Sequence, residues 1–443
     1  ISYLLRTKKD WFVRFKASYF EDKILNRFDP SGVIPKAFDD WYFTRRIDFT
    51  NTTNGKINDN LSLNSTNSFN SYTRIKNKYQ KDLSTLESVL VLDSEGEDNQ
   101  DTTQAMQWMS RSFISYKNPS KIFDFQTGID FNIENGIGGR FSDEDGSAAL
   151  IADLAFFYSS NFQFNEKIKL QAAIRYGYNS KFKTLPTPSL LFKYNVNSKL
   201  QVRLNYGMGF RAPSLKEMYL VFNDANHDIF GNKNLTPEQS QNLSASVQYE
   251  ASKKLHHYSL GSKLFYTYKY NAIALTPDEN NVFQYVNIAQ VSSTGSELNA
   301  SYQFKDLSIN FGFSYIGLAS QNSNNKFYFY PQMQSSISYF IRKANLSFSL
   351  INKWNGARKD FRISGVDNNE VEIVNIQAYD LMNFSMQKTF WKERISINCG
   401  IKNLLNVSNV NGTSSDGAHS GSNQSQIAAG RSYFVGLKIG TGR

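Results

Sequence analysis

The sequence predicts an all-β fold, a transmembrane antiparallel β-barrel of about 18 strands occupying residues 1–443 as one domain. Three observations carry that expectation. Apolar and polar residues alternate with period two over runs too long for a soluble strand. Short turns and long polar loops separate these runs in turn. No stretch is apolar enough for a spanning helix.

The alternation is clearest from Lys199 to Phe210. Leu200, Val202, Leu204, Tyr206, Met208 and Phe210 fall on one face, and Lys199, Gln201, Arg203, Asn205, Gly207 and Gly209 on the other. Lys167 to Tyr178 repeats it, with Ile168, Leu170, Ala172, Ile174, Tyr176 and Tyr178 against Lys167, Lys169, Gln171 and Arg175. In Arg394 to Ile401, Ile395, Ile397, Cys399 and Ile401 oppose Arg394, Ser396, Asn398 and Gly400. Soluble strands usually run about 5–6 residues. These runs alternate for roughly 8–12, the length a tilted strand needs to cross a bilayer. The apolar face, Cys399 included, is expected to meet lipid. The polar face, with Arg175, Lys199, Arg203 and Arg394, is expected to line a wet lumen.

Such segments lie near 9–21, 40–50, 59–75, 103–117, 121–134, 148–163, 167–178, 186–196, 199–211, 239–252, 257–272, 283–303, 307–319, 327–341, 344–356, 372–389, 394–406 and 428–440. Their connections alternate in length. Asn118-Pro119-Ser120, Asn197-Ser198, Lys305-Asp306 and Trp391-Lys392-Glu393 are short, while 76–102, 135–147, 212–238, 357–371 and 407–427 are long and polar. Outer-membrane barrels show this asymmetry, with the long loops outside the cell. The link 179–185 is short where a loop is expected. A propeller would show a repeat of about 40–50 residues with recurring turns, and none is present.

Composition agrees. Mean hydropathy is −0.47, aromatics make up 15% and prolines number 9, which suits strands and excludes a bundle of spanning helices. The lone Cys399 excludes internal disulfides and cysteine-based zinc sites. The net charge of +10 reads as attraction for anionic lipid headgroups and an anionic cargo, with an ordinary solvated surface as the alternative, rather than for nucleic acid. The chain opens on Ile1 without a leader, so a processed or incomplete N-terminus is expected.

Enzyme motifs such as HExxH, GxSxG and a P-loop are missing, and Gly136-Ile137-Gly138-Gly139 reads as loop glycine because no helix follows. His256 and His257 fall at a short turn and read as solvated imidazoles; His227 and His419 fall on long loops. Two acidic runs, Asp93, Glu95, Glu97, Asp98 and Asp101, then Asp143, Glu144 and Asp145, read as solvated loop acids, with a surface Ca²⁺ site as the alternative.

Four stretches resemble TonB-dependent outer-membrane receptors. Gly209-Phe210-Arg211-Ala212-Pro213-Ser214-Leu215-Lys216-Glu217 resembles their "FRAP" box. Gly231-Asn232-Lys233-Asn234-Leu235-Thr236-Pro237-Glu238 resembles their "GNPNLxPE" box, with Lys233 in place of Pro. Gly400 to Asn406 is similar to their "KNLLN" segment, and Gly430 to Leu437 to their closing strand, although this chain ends Gly440-Thr441-Gly442-Arg443 rather than on an aromatic residue. The resemblance implies a barrel of about 22 strands, with a plug and about four strands ahead of Ile1. It also implies active import across the bacterial outer membrane by a multi-pass receptor, not an enzyme. The implied partners are a plug domain of its own or supplied separately, a TonB-type energy-coupling complex, outer-membrane lipid or lipopolysaccharide, and a surface lipoprotein. A plugless porin or adhesin-type barrel is the alternative.

In haem receptors of this family a His lies between the two boxes. Here that position is held by His227, with Tyr219 and Phe222 close by to stack on a porphyrin and His419 as a weaker second ligand. Haem is the expected cargo and bound iron compound; a ferric siderophore or cobalamin is the alternative.

Overall fold

The computed structural model describes residues 1–7, 11–27, 30, 35–92, 99–120, 122–139, 141, 148–224, 227–277, 282–320, 326–364, 370–391, 394–411 and 424–440. In chain order the strands are β1 (Ser2–Arg6), β2 (Phe12–Arg27), β3 (Lys36–Lys56), β4 (Leu61–Asp82), β5 (Ser88–Leu90), β6 (Gln100–Lys117), β7 (Phe123–Ile137), β8 (Ala149–Gln163), β9 (Ile168–Asn179), β10 (Thr187–Asn195) and β11 (Leu200–Arg211). A short helix α1 (Leu215–Tyr219) follows, then β12 (Val221–Asp224), β13 (His227–Phe230), β14 (Glu238–Lys253), β15 (His256–Pro277), β16 (Phe283–Phe304), β17 (Leu307–Ser320), β18 (Tyr328–Ile341) and β19 (Leu346–Asn355). The last are β20 (Arg358–Ser364), β21 (Glu370–Ile376), β22 (Tyr379–Phe390), β23 (Ile395–Lys402), β24 (Asn409–Asn411), β25 (Gln424–Gln426) and β26 (Ser432–Ile439). No described helix is long and apolar enough to cross a membrane, which says nothing about strands.

Among the described residues, twenty-two strands belong to one sheet, and β20–β21 and β24–β25 form two separate ribbons. Setting aside the short loop strands β5, β12 and β13 leaves nineteen long-run strands, one more than the alternation predicts. The extra strand is β1, which lies ahead of the first expected segment and forms a hairpin with β2. Four of the long loops also differ from expectation, and that at 212–238 carries α1 and the β12–β13 hairpin. β4 and β6 run on into the 76–102 region, where Lys76 pairs with Asp101 and Asn77 with Gln100. The 357–371 and 407–427 loops carry the β20–β21 and β24–β25 ribbons. Beyond the bilayer no lipid selects apolar residues at every second position. The hydrogen-bonded ladder therefore continues where the sequence signal has stopped.

The chain divides into two compact units, each described separately: Ile1–Gln163, Gln171–Pro188 and Phe210–Pro237; and Phe164–Leu170, Ser189–Gly209 and Glu238–Arg443. In the first, β1–β2, β2–β3, β3–β4, β4–β6, β6–β7 and β7–β8 pair antiparallel. Register fixes the faces. Ile129, Leu154, Phe156 and Trp108 stand exposed on the apolar face, while Arg111 lies opposite Asp130 on the polar face. In the second unit, β14 to β19 and then β22, β23 and β26 continue the same meander. Cys399 pairs with Met386 and Val435, on the side of Ile397.

The short turns share a recipe. Asn58 Oδ1 accepts the Asn60 and Leu61 amides at 2.9 and 2.8 Å. Asn165 accepts those of Lys167 and Ile168, and Asn197 those of Lys199 and Leu200. A side chain that mimics a backbone turn is what Asn supplies at a hairpin end. Beside these turns lie aromatic clusters, Tyr116–Phe125 (5.3 Å) and Phe123–Phe162 (5.1 Å) in the first unit, Tyr258–Tyr302 (5.2 Å) in the second. Such girdles mark the membrane interface of a barrel. His256 belongs to one of them. Its ring stacks on Phe304 at 4.4 Å and its Nδ1 lies 2.9 Å from the Tyr302 hydroxyl, while His257 Nδ1 lies 2.8 Å from Ser252 Oγ. The reading as a solvated imidazole is thereby corrected for His256, while His257 is exposed as expected.

Candidate functional site: a clamped loop above a charged polar face

β11 ends at Arg211, and Ala212-Pro213-Ser214 lead into α1. Ser214 caps that helix. Its hydroxyl accepts the Glu217 amide at 3.3 Å while the Glu217 carboxylate accepts the Ser214 N–H at 2.8 Å, a reciprocal capping box. Arg211 Nη1 donates to both Glu217 oxygens at 2.8 and 3.0 Å. Burial pushes the Glu217 carboxyl up, but the bonds from Arg211 and Ser214 outweigh it and hold the group below the ordinary glutamate value. Pro213 is fully buried, and Leu215, Met218 and Tyr219 pack on Ala149 and Ile151 at the start of β8.

The stretch from Gly231 to Glu238 closes on the one from Gly209 to Glu217. The Gly231 amide donates to Leu220 O at 2.6 Å and the Asn232 amide to Glu217 O at 2.8 Å. A Cβ on Gly231 would stand 2.5 Å from the Met218 carbonyl carbon, so only glycine allows this approach. Asn232 Oδ1 accepts the Asn234 amide at 2.9 Å, and Leu235 is buried. The stretch that opens with Phe210, Arg211, Ala212 and Pro213 thus meets the stretch that carries Asn232, Asn234 and Leu235 through the Glu217 and Leu220 carbonyls, as two jaws of one clamp. Between the jaws, β12 and β13 form a hairpin whose pairing ends at Asp224 and His227.

Of the ligand candidates, Tyr219 is only 6% exposed and its ring is committed to the cluster under α1, with the Lys233 ammonium 5.7 Å from its centroid. Phe222 pairs with Ile229 in the hairpin. His227 is described in backbone only, and His419 lies outside the described residues. The short 179–185 link also finds a reason here. Asn179 Oδ1 accepts the Lys181 and Phe182 amides at 2.9 Å, and Phe182 packs against the cluster under α1.

Beneath the clamp, a recess of about 380 Å³ is lined by Glu134, Asp153, Arg175, Thr184 and Phe210 to Ser214 among others. Arg175 does point to the polar face, where its Nε lies 3.4 Å from Asp130; Arg111 Nε holds the other oxygen at 2.7 Å. Gln107 and Asn132 donate to Glu134, and Asn179 to Asp153 at 2.7 Å. Neither Asp130 nor Arg111 stands out in the sequence, although the alternation of Ile129, Phe131 and Ile133 places Asp130 on the polar side. Lys199 lies in a short turn rather than a strand, and so does Arg394, whose amide donates to Trp391 O.

Among the described residues no group of three ligand-type side chains could hold a metal ion. Asp93 to Asp98 and Asp143 to Asp145 lie outside the described residues. Asp101 accepts bonds from Thr103 Oγ1 and the Gly139 amide. Gly138, at φ +113°, makes that turn.

A family model for the TonB-dependent receptor-like β-barrel matches residues 4–404. The chain belongs to that family. This TonB-dependent receptor barrel is therefore a multi-pass protein of the bacterial outer membrane, and its polar face lines the lumen. Membership implies coupling to TonB and a plug domain. Solved structures with the same fold include the siderophore receptor PirA of Pseudomonas aeruginosa, at 14% identity over 98% of this chain and 78% of that one, with a TM-score of 0.61. The outer membrane transporter YddB of Escherichia coli is 11% identical over 99% and 68%, with a TM-score of 0.70. The copper transporter OprC is 11% identical over 97% and 76%, with a TM-score of 0.65.

Proposed function

We propose that this TonB-dependent receptor imports an iron compound, with haem as its cargo and His227 as the residue that takes the haem iron. The carrying observation is the clamp. Two boxes locked by the Gly231 and Asn232 amides fix the base of a hairpin, and that hairpin sets His227 at its last pair, on the long-loop end of β11. A neutral imidazole is a common axial ligand for haem iron. Phe222 is the ring left for stacking, because Tyr219 supports the helix from beneath. A siderophore receptor and a copper transporter both share the fold, so cargo is argued from His227 and not from neighbours. The plug, the TonB-type complex, lipopolysaccharide and a surface lipoprotein are the proposed partners.

Haemin titration of the receptor in detergent, with and without His227→Ala, tests the reading. The variant should lose the Soret shift and bind at least about tenfold more weakly, the loss of roughly 1.4 kcal/mol. An unchanged Soret band and affinity would remove haem in favour of a siderophore or cobalamin.

A further inference from the structure

Two hairpin turns at the short-turn rim of the second unit depart from the recipe of the others. Lys254-Leu255 joins β14 to β15 and Lys305-Asp306 joins β16 to β17, and the first residue of each loop has a φ of +55° and +50° respectively. Glycine is favoured at such a position, because it has no Cβ to crowd the backbone. The turns at 58–61, 165–168 and 197–200 close on an asparagine side chain, with no side-chain-bearing residue at positive φ. A residue held where its backbone is disfavoured marks a functional constraint. The same rim carries an excess of charge. Lys253, Lys254, Lys305 and Lys343 are exposed at three successive turns, and among the described residues none of them forms an ion pair. Asp306, the acid on this stretch, is held by Arg342, whose Nε lies 2.8 and 2.7 Å from its two oxygens. Glu250 has the parity opposite to Tyr249 and Ala251 and so belongs to the lumen face.

We propose that this rim binds the headgroup of an anionic phospholipid in the periplasmic leaflet, with Lys253, Lys254 and Lys305 around its phosphate. Short turns face the periplasm, which sets the leaflet. Register sets the face. Lys253 lies opposite His256 and His256 opposite Phe304, while Tyr258 and Leu260, of the same parity as His256, are 45% and 56% exposed on the lipid side. The Lys305 ammonium stands 5.3 Å from the centroid of the Phe304 ring, on which His256 stacks. A lysine stem can thus lie along the rings while its ammonium meets the phosphate. Basic residues at a membrane surface draw anionic lipid, and the exposed Tyr258 and Leu260 continue the surface toward the acyl chains. That continuity favours a lipid over a soluble phosphate. Each of β14 to β17 has a strand paired on both sides, and the outer face of a barrel is turned away from any plug. The assignment is independent of whether the cargo is haem.

The test uses the intact receptor in mixed micelles of phosphatidylglycerol and phosphatidylethanolamine, with retained lipids counted by native mass spectrometry. The wild type should retain phosphatidylglycerol about tenfold or more over phosphatidylethanolamine, and the preference should fall as salt rises. The double variant Lys254→Gly, Lys305→Gly should lose most of that preference yet melt no lower than wild type, because glycine suits both positive-φ positions. Lys253→Gln, which leaves both turns intact, should also lower the preference. Equal retention of the two lipids by the wild type, or an unchanged preference in the double variant, would overturn the site. A lower melting temperature in the double variant would overturn it too, by showing that the lysines serve the turns themselves. Displacement of the lipid by an equal concentration of glycerophosphoglycerol would replace it with a soluble phosphodiester, and tighter binding of a muropeptide would replace it with the cell wall.

Discussion

Glu217→Ala should unlatch the clamp while leaving the barrel intact. The change removes the acceptor of the Ser214 N–H at 2.8 Å, of the Ser214 hydroxyl at 2.9 Å and of Arg211 Nη1 at 2.8 and 3.0 Å. Loss of the carboxylate half of the capping box costs about 1 kcal/mol, and loss of a partly exposed arginine pair roughly 0.2–1 kcal/mol more. A local destabilisation of about 1.5 kcal/mol makes opening roughly tenfold more frequent. Native-state hydrogen exchange reads this directly. The amides of Met218, Leu220 and Asn232, bonded to Ser214 O, Lys216 O and Glu217 O, should exchange about tenfold faster, while the β7–β8 ladder keeps its rates. Unchanged exchange at those three amides would refute the capping argument, and loss of protection throughout the ladder would refute its locality. The sign with pH follows. The folded carboxyl titrates below its unfolded value, so the stabilisation is complete above the ordinary glutamate range and is lost as pH falls through the folded value. Opening of α1 should therefore rise in acid in the wild type and stay flat in Glu217→Gln.

Three further outcomes are expected. Gly138→Ala forces a Cβ to 2.0 Å from Thr102 O at φ +113° and should cost roughly 1–3 kcal/mol, visible as a lower melting temperature in detergent; an unchanged melt would contradict the strain argument. Asp130→Asn leaves Arg111 and Arg175 without their shared carboxylate, and a double-mutant cycle with Arg175→Gln should show coupling of about 0.5–1.5 kcal/mol, whereas additive effects would deny the network. Cys399 should react with a lipid-soluble maleimide and resist a charged one in intact membranes, since it shares a face with Met386 and Val435; the reverse pattern would place it in the lumen.

The fold was legible because the bilayer imposes it residue by residue. Leu200, Val202 and Leu204 announce a lipid face that no soluble strand of that length requires. The ribbons β20–β21 and β24–β25 lie where that selection ends, so 357–371 reads as loop and 372–376 as the start of the next strand, although it belongs to β21. The boxes were legible as a resemblance, but their physical role was not. That Asn232 closes on Glu217, or that Gly231 abuts Met218, depends on a chain reversal of about fifteen residues that no local pattern encodes. The Arg111–Asp130–Arg175 network was half legible, since alternation gives each residue its face, while only cross-strand register gives it a partner. His256 carried a signal that was passed over, for it shares its parity with Tyr258 and Leu260 on the apolar face.

TonB-coupled uptake is tested most directly by haem iron entering iron-starved cells that carry this receptor as their only haem route, with and without an active TonB complex. Uptake that requires both the receptor and TonB, and that falls sharply in His227→Ala, is the predicted result. Uptake that persists without TonB, as through an open pore, would contradict it.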